Sequence, residues 1–365
     1  MASELKTWLV LLLVLFVACY MQHYVYGNSP QVPCLFIFGD DFSDNGNNNN
    51  LPTKAKANYK PYGIDFPKGP TGRTTNGETT VDIVAKLLGF DKPIPPFANT
   101  IGSDILQGVN YASISAGIRN ETGKRTAGTN IALGQQIENH KTIVAQIAKK
   151  LGGVKHATQY LKKCLYYFNI GTNDYSLNYF QPKLYSTSHT YNPEEYAQVL
   201  FDELFVYGEV LYNLGARKYV AVGLGKIGCT PMVLATSHVK GSCDENLNDI
   251  VAIFNHKYRS LTVQFSAKFP DAQSTFINTT TIRLDGSDGF KVFSASCCPM
   301  KSDGYCVPNS KPCLNRNQHV FYDGIHPTSA ANKIFASVSY DSAKNPEITS
   351  PIDIKHLAKL VLKSN

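Results

Sequence analysis

Residues 36–47 read FIFGDDFSDNGN, a short apolar run that ends abruptly in Gly, Asp and Asn. From Pro33 to Phe38 the chain is apolar almost throughout, which is typical of a central strand in a parallel sheet. The polar residues that follow lie where this strand is predicted to end, and α/β proteins gather their active groups at such ends. The stretch therefore predicts an α/β fold with a functional loop that begins at Gly39.

Strand-like and helical segments alternate along the rest of the chain. Further strands are predicted at residues 106–112, 164–170, 218–223 and 274–278, and helices at residues 78–88, 130–151, 192–214, 244–269 and 332–340. The helix at Asn192 has the clearest start, because Asn192 can cap it and Pro193 suits its first position; Gly215 ends it. This alternation predicts a parallel sheet covered by helices on both faces, in a single domain over residues 28–365.

The first 27 residues are predicted to be a signal peptide. Lys6 supplies a positive charge, and Trp8–Met21 is an apolar run shorter than the ~20 residues that a spanning helix needs. Cleavage is predicted after Gly27, and an uncleaved membrane anchor is the alternative. The mature chain is therefore predicted to be soluble, without a membrane partner. Its predicted location is extracellular, in the apoplast or cell wall, or else vacuolar.

The number of cysteines agrees with a secreted protein that folds in an oxidising compartment. Of nine cysteines, one lies in the predicted signal peptide, which leaves an even number in the mature chain. Four of them lie in a predicted insertion at residues 286–317, which is rich in Pro, Gly and Asn: Cys297, Cys298, Cys306 and Cys313. Two others, Cys229 and Cys243, flank another loop. Disulfides are predicted within each group, with the connectivity left open. A zinc site in the four-cysteine loop is the alternative, although adjacent cysteines fit paired zinc ligands poorly.

Composition and charge narrow the classes of partner. The chain is 43% hydrophobic and 17% charged, which supplies a large core and argues against general disorder. Its net charge is +7, but the Lys and Arg residues are scattered, so no nucleic-acid partner is predicted. Weak attraction to acidic polysaccharide is compatible with this charge. Asn120 and Asn278 begin Asn-x-Thr sequons and are predicted glycosylation sites.

Four chemically loaded segments follow predicted strands or lie near the C-terminus: residues 39–41, 110–117, 171–174 and 321–327. Each is weak alone. A Gly-Asp pair after a strand is usually only a turn, Gly-Thr-Asn-Asp could merely cap a helix, and a His before Pro is usually structural. Their order and their predicted positions at strand ends make the set informative, because parallel strands bring such segments to one edge of a sheet.

In that order the segments closely resemble the plant GDSL esterase/lipase family of SGNH hydrolases, whose first block reads FGDSLSDNGN. The likeness extends to residues 73–77 (family GRFTNG), residues 224–231 and the Cys-rich loop, and so covers nearly the whole mature chain. The resemblance implies a flavodoxin-like three-layer α/β/α sandwich with a central parallel sheet. It also implies a secreted hydrolase of acyl esters that uses no metal and no cofactor.

The resemblance also implies residue roles. His326 takes the position of the general base and Asp323 that of the acid that orients it. Asn173 takes the position of a side-chain donor in the oxyanion hole, and the backbone N–H groups of Asp41 and Ser115 those of the other donors. The nucleophilic serine of the family falls on Asp41.

Two positions depart from the family pattern. The second block of the family reads NYASGGAGI, and its Gly-Gly pair falls on Ile114-Ser115, where a β-branched residue suits a positive φ poorly. At the nucleophile position, an ionised Asp41 leaves His326 no proton to remove, and its attack on an ester would form a high-energy anhydride. Asp41 is predicted to pair with His326 and raise the pKa of the imidazole. Ser43 is predicted to point away from the site.

Three hypotheses follow. The first is a family member with lost or strongly impaired ester hydrolysis, which binds an acyl ester, another small hydrophobic ligand or a protein partner through the inherited cleft. The second is an active ester hydrolase or acyltransferase in which His326 and Asp323 activate water. In the third, Asp41 is the nucleophile of a hydrolase that acts on a saturated carbon.

Overall fold

The computed structural model describes residue 8 and residues 29–101, 104–236 and 242–361. Apart from Trp8, the predicted signal peptide and its cleavage site lie outside these residues, so that prediction stays a prediction. In the part of the chain that is described, no helix is both long enough and apolar enough to cross a bilayer.

The centre of the molecule is a five-stranded sheet. In chain order the strands are β1 (Leu35–Gly39), β2 (Leu165–Asn169), β3 (Lys218–Val222), β4 (Gln273–Ile277), β5 (Val292–Ser296), β6 (His319–Phe321) and β7 (Thr349–Ser350). Strands β1, β2, β3 and β4 are parallel neighbours in that order, and β7 joins β4 in the antiparallel direction. Strands β5 and β6 form a separate two-stranded sheet.

Helices connect these strands. In chain order they are α1 (Thr80–Leu87), α2 (Lys124–Ala127), α3 (Leu133–Leu151), α4 (Val154–Leu161), α5 (Thr172–Asp174), α6 (Thr187–Thr190), α7 (Pro193–Leu214), α8 (Pro231–Thr236), α9 (Glu245–Lys268), α10 (Ser329–Tyr340) and α11 (Ile354–Lys359). A π-helical turn, Tyr175–Tyr179, continues α5. Short 3₁₀ turns lie at Phe97–Asn99, Ile105–Gln107, Ile227–Cys229, Thr279–Thr281, Gly286–Asp288 and Arg316–Gln318.

The sheet is covered on both faces, as predicted. Because side chains alternate along a strand, Phe36 and Phe38 of β1 pack on one face with α3, α4, α7 and α9. Leu35 and Ile37 pack on the other face with α1, α10 and α11. All five residues of β1 are buried, which explains why its sequence is apolar without alternation. The result is a three-layer α/β/α fold.

The strand predicted at residues 106–112 is wrong over its first three residues. Residues 105–107 form a 3₁₀ turn, because the Asp104 side chain accepts the Leu106 N–H. Gly108 then turns the chain at φ 115° against β1, where a Cβ would lie 1.9 Å from the carbonyl oxygen of Leu35. Residues 109–113 run beside β1, through hydrogen bonds of 3.0 and 2.8 Å to Ile37 and one of 3.1 Å from the Ser113 N–H to the Gly39 carbonyl oxygen. Counted as a strand, they complete the flavodoxin-like order.

Most other segment predictions are confirmed to within a few residues. The helix predicted from Asn192 runs over Pro193–Leu214, with Asn192 and Glu195 forming a capping box and Gly215 in the left-handed region. Three short strands, β5, β6 and β7, follow β4 and are not predicted from the sequence. The segment at residues 321–327 therefore follows β6 of the small sheet and not a strand of the central sheet.

Disulfides are confirmed within both cysteine groups. Cys229 pairs with Cys243, Cys297 with Cys313 and Cys298 with Cys306, and a fourth bond joins Cys34 to Cys164 across the starts of β1 and β2. Two groups of residues have metal-like spacing in the described part of the chain, and each depends on cysteines that these disulfides consume. The zinc alternative for the four-cysteine loop is therefore wrong. Four disulfides are typical of a protein that folds in an oxidising compartment.

Candidate active site

The turn after β1 is fixed by groups from distant parts of the chain. Gln136 of α3 clamps Gly39, accepting its N–H at 2.9 Å and donating to its carbonyl oxygen at 2.8 Å. The hydroxyl of Thr74 donates to the backbone oxygen of Asp41 at 2.8 Å. A Cβ on Gly39 would lie 2.8 Å from the Asn169 carbonyl oxygen, so the tight turn needs glycine. These contacts hold the Asp41 side chain at the edge of a cavity.

The Asn-rich run after the turn fastens the second block beside it. The side-chain amide of Asn47 donates to the carbonyl oxygens of Asn110 and Ala112, and that of Asn48 donates to Ile114. The carboxylate of Asp44 accepts the N–H of Ile114 at 3.0 Å. The run that looked like a simple turn in the sequence therefore positions the residues that face Asp41.

The carboxylate of Asp41 is buried and accepts hydrogen bonds at both oxygens. Oδ1 accepts the backbone N–H of Ser115 at 2.8 Å and the side-chain amide of Asn173 at 2.6 Å. Oδ2 accepts the hydroxyl of Tyr305 at 2.7 Å, and Nε2 of His326 lies 3.5 Å away, an ion-pair distance rather than that of a well-formed hydrogen bond. Asp41 therefore occupies the very donors that the resemblance assigns to an oxyanion hole.

The backbone at the second departure from the family pattern is left-handed at Ser115 and not at Ile114. Ser115 has φ 65°, whereas Ile114 has a negative φ and donates its N–H to Asp44. The concern over a β-branched residue therefore does not apply, because the strained position is taken by an unbranched side chain. The Ser115 N–H keeps its direction toward Asp41, and Asn130 binds the Ser115 carbonyl oxygen at 2.8 Å.

Asp323 orients the imidazole of His326 through contacts with Nδ1. Both oxygens of Asp323 lie within 3.0 Å of Nδ1 of His326, and Oδ1 also accepts the His326 backbone N–H. The hydroxyl of Tyr62 donates to Oδ2 of Asp323 at 2.6 Å and itself accepts the N–H of Cys306. Nε2 of His326 consequently faces the cavity edge and Asp41. Ser43 is fully buried against Gly39 and does not line the cavity, as predicted.

The charges favour an imidazolium beside a carboxylate. Burial alone lowers the pKa of His326, but the charges and hydrogen bonds of Asp323 and then Asp41 outweigh it and raise that pKa to about 10. Burial likewise raises the pKa of Asp41, yet His326, Asn173 and Tyr305 together hold it below its usual value. The predicted ion pair and the raised histidine pKa are confirmed. A histidine in this state has no free lone pair with which to accept a proton at neutral pH.

Two tyrosines at the site, Tyr62 and Tyr305, are not predicted from the sequence. Tyr305 comes from the disulfide loop between Cys298 and Cys306, and Tyr62 from the loop before α1. Nothing in the sequence marks either tyrosine as part of the site. Tyr305 lies 264 residues from Asp41, and Tyr62 lies 261 residues from Asp323. The Cys-rich segment was interpreted only as a stapled insertion, although it contributes directly to the site.

A cavity of about 1100 Å³ opens over Asp41, Ser115, Asn173 and His326. This exceeds the usual range for small-molecule sites and leaves room for a long ligand. Much of its wall is apolar, including Leu177, Phe180, Leu224, Met232, Phe293 and Phe335. The arrangement therefore combines a tightly hydrogen-bonded polar corner with a long hydrophobic space.

Residues 35–338 match the family model of GDSL-like lipases/acylhydrolases. The chain belongs to this family. Among similar proteins, GDSL esterase/lipase At1g29660 of Arabidopsis thaliana is 46% identical, over 91% of this chain and 93% of the relative. GDSL esterase/lipase At1g29670 of the same plant is 44% identical, over 99% of this chain and its own full length. The family resemblance and the α/β fold are thus confirmed, and ester hydrolysis is the activity of the GDSL family.

The two predicted glycosylation sites differ in how exposed their asparagines are. Asn120 is exposed, whereas Asn278 is half-buried and its side-chain oxygen accepts the hydroxyl of Thr280 at 2.7 Å. Thr279 and Thr280 line the cavity. Modification at either asparagine stays a prediction.

Stability is expected to fall as pH rises from 5 to 9. Burial raises the pKa of Asp44 to about 6 and of Asp174 to about 7, and that of His326 is raised to about 10. Each of these three groups therefore binds more protons in the folded protein than in the unfolded chain, from its ordinary pKa up to its raised pKa. Buried His140, whose pKa is lowered to about 3, acts in the opposite direction up to about pH 6.5, but the three raised groups outweigh it. The free energy of unfolding therefore decreases as pH rises. Thermal melts at constant ionic strength should give a higher Tm at pH 5 than at pH 8. A Tm that rises from pH 5 to pH 8 would contradict the raised pKa values of these three groups.

Proposed function

We propose that this GDSL-family protein is a ligand-binding descendant of an ester hydrolase, with hydrolysis lost or strongly impaired at Asp41. In the proposal, His326 and Asp323 keep the positions of the catalytic base and acid, and Asn173 and Ser115 those of the oxyanion donors. The observation that carries it is the carboxylate of Asp41, which accepts the donors of Ser115 and Asn173 and pairs with His326. A substrate carbonyl would have to displace this carboxylate to be activated.

The two alternatives receive less support from the same contacts. Activation of water by His326 needs a neutral imidazole, and the raised pKa keeps it protonated at neutral pH. Attack by Asp41 on a saturated carbon needs a carboxylate with a free lone pair, and each of its oxygens already has two donors within reach. The first hypothesis is therefore retained as the proposal.

The ligand that fits the cavity best is an uncharged molecule with a long apolar chain. The apolar walls and the volume of about 1100 Å³ suit such a chain. A ligand carboxylate placed beside Asp41 would meet its negative charge, and the donors of Ser115, Asn173 and Tyr305 there are already occupied. We therefore propose an acyl ester or similar neutral amphiphile as the ligand, delivered outside the cell in the apoplast or cell wall, or in the vacuole.

We expect 1-dodecanol to bind the wild-type protein at least about tenfold more tightly than dodecanoate at pH 7.5, because only dodecanoate faces charge repulsion at Asp41. Displacement of bound Nile red measures both affinities. Asp41→Asn is the matched control: it keeps the shape and removes the charge, so the preference should shrink. Equal affinities in the wild-type protein, or an unchanged preference in Asp41→Asn, would refute the proposed ligand class.

A further inference from the structure

The disulfide loop between Cys298 and Cys306 contacts both acidic groups that flank His326. Its Tyr305 donates to Oδ2 of Asp41 at 2.7 Å, and the N–H of Cys306 donates to Tyr62, which in turn donates to Asp323. One short loop thus sets the hydrogen bonding on each side of the imidazole.

The position of Tyr305 is fixed by close packing. The preceding Gly304 has φ 85°, and a Cβ there would lie 2.9 Å from the sulfur of Met232 and 3.0 Å from a methyl carbon of Ile325. Backbone hydrogen bonds of 2.8 Å tie Gly304 to Gly324 and the Tyr305 carbonyl oxygen to Lys301. The Tyr305 side chain is only 9% exposed, although it lines the cavity. The loop therefore presents the hydroxyl in one orientation.

Four donors converge on the Asp41 carboxylate from four separate segments. They are the Ser115 N–H, the Asn173 amide, the Tyr305 hydroxyl and the His326 imidazole. A hydrolase needs donors on the developing oxyanion only, which accounts for Ser115 and Asn173. The hydroxyl of Tyr305 faces the second oxygen, where an ester hydrolase has no carboxylate to bind.

We propose that Tyr305 completes a carboxylate-binding cradle with Ser115, Asn173 and His326, and that the loop uses it to hold Asp41 over the oxyanion donors. Tyr305 is in this sense a positioning residue. The inference rests on the proposed function in treating Asp41 as the occupant that closes the site. The inference goes beyond the proposed function because it assigns a general binding site for carboxylates and adds Tyr305 to the residues of that site.

The cradle can be emptied and refilled, because acetate has the same atoms as the side chain that Asp41→Gly removes. Acetate should raise the Tm of Asp41→Gly relative to equal concentrations of chloride, since a ligand that binds only the folded state stabilises it. The wild-type protein, with its cradle filled, should show no such difference. Asp41→Ala provides a second background in case the glycine variant does not fold.

Removing the hydroxyl alone, in Asp41→Gly/Tyr305→Phe, should weaken acetate binding by about tenfold to a hundredfold, the usual cost of a donor to a charged acceptor. Tyr59→Phe in the same background is the matched control, because the Tyr59 hydroxyl donates to Cys306 of this loop and not to Asp41. Its acetate affinity should be unchanged. Absence of an acetate effect in both emptied variants, or equal weakening by the two phenylalanine changes, would overturn the proposal. Neither result depends on esterase activity.

Discussion

Replacing Asp41 by serine should create esterase activity at least about a hundredfold above that of the wild-type protein on p-nitrophenyl esters, because removing a nucleophile from such sites costs several orders of magnitude. The change does three things at once. It supplies a hydroxyl, frees the Ser115 and Asn173 donors, and removes one of the two carboxylates that hold His326 protonated. The imidazole can then act as a base nearer neutral pH.

Two control variants identify the source of the activity. Asp41→Asn removes the charge without adding a nucleophile, so it should stay inactive. Asp41→Ser/His326→Ala keeps the serine and removes its base, so the new activity should fall to the background. Equal turnover by the wild-type protein and Asp41→Ser would refute the proposal that Asp41 disarms the site. Inactivity of both would place a further defect in the acyl pocket.

Arg73→Met should destabilise the folded protein by about 3–5 kcal/mol, the usual effect of removing one partner of a buried ion pair. The guanidinium of Arg73 binds Asp82 with two hydrogen bonds of 2.7 and 2.8 Å, and the side chains are only 5% and 3% exposed. Methionine retains much of the apolar stem, so the loss reports mainly the stranded carboxylate. Urea unfolding at pH 7 measures it. The loss should shrink near pH 3 as Asp82 becomes protonated.

The matched control is Lys141→Met, which breaks the ion pair between Lys141 and Glu138 on the surface of α3. These side chains are 43% and 57% exposed, and such pairs contribute less than about 1 kcal/mol. If the two methionine variants differed by less than about 1 kcal/mol, the buried pair of Arg73 and Asp82 would not stabilise the fold as predicted. The expected effect also bears on the site, since the adjacent Thr74 fixes the backbone of Asp41.

The sequence is informative wherever function depends on local order. Asp323 and His326 are three residues apart, so the contact between their side chains follows from spacing, and Asn173 directly follows an unmistakable strand. The helix from Pro193 to Leu214 is predicted to the residue because its cap, its first proline and its final glycine are all local signals. Each of these features is determined by neighbours along the chain.

Features that depend on distant packing could not be predicted in this way. Tyr305 reaches Asp41 only because two disulfides and the Gly304 turn bring its loop over the site. The left-handed backbone at Ser115 is maintained by Asn130 and by the donors around it, which no local pattern reveals. For the same reason, the apolar pattern at residues 106–112 suggested a strand where a capped turn and a close approach at Gly108 intervene.

Covalent labelling with a fluorophosphonate, which reacts with a serine activated by a neighbouring base, tests directly whether Asp41 has disarmed the site. Intact-mass spectrometry of the wild-type protein should show no adduct, because Asp41 offers no hydroxyl and no serine among the described residues is hydrogen-bonded to Nε2 of His326. Asp41→Ser should gain one adduct, mapped by peptide digestion to position 41, and should lose it when His326 is also replaced by alanine. An adduct on the wild-type protein that depends on His326 would contradict the account, because it would reveal a working nucleophile where the structure places a hydrogen-bonded carboxylate.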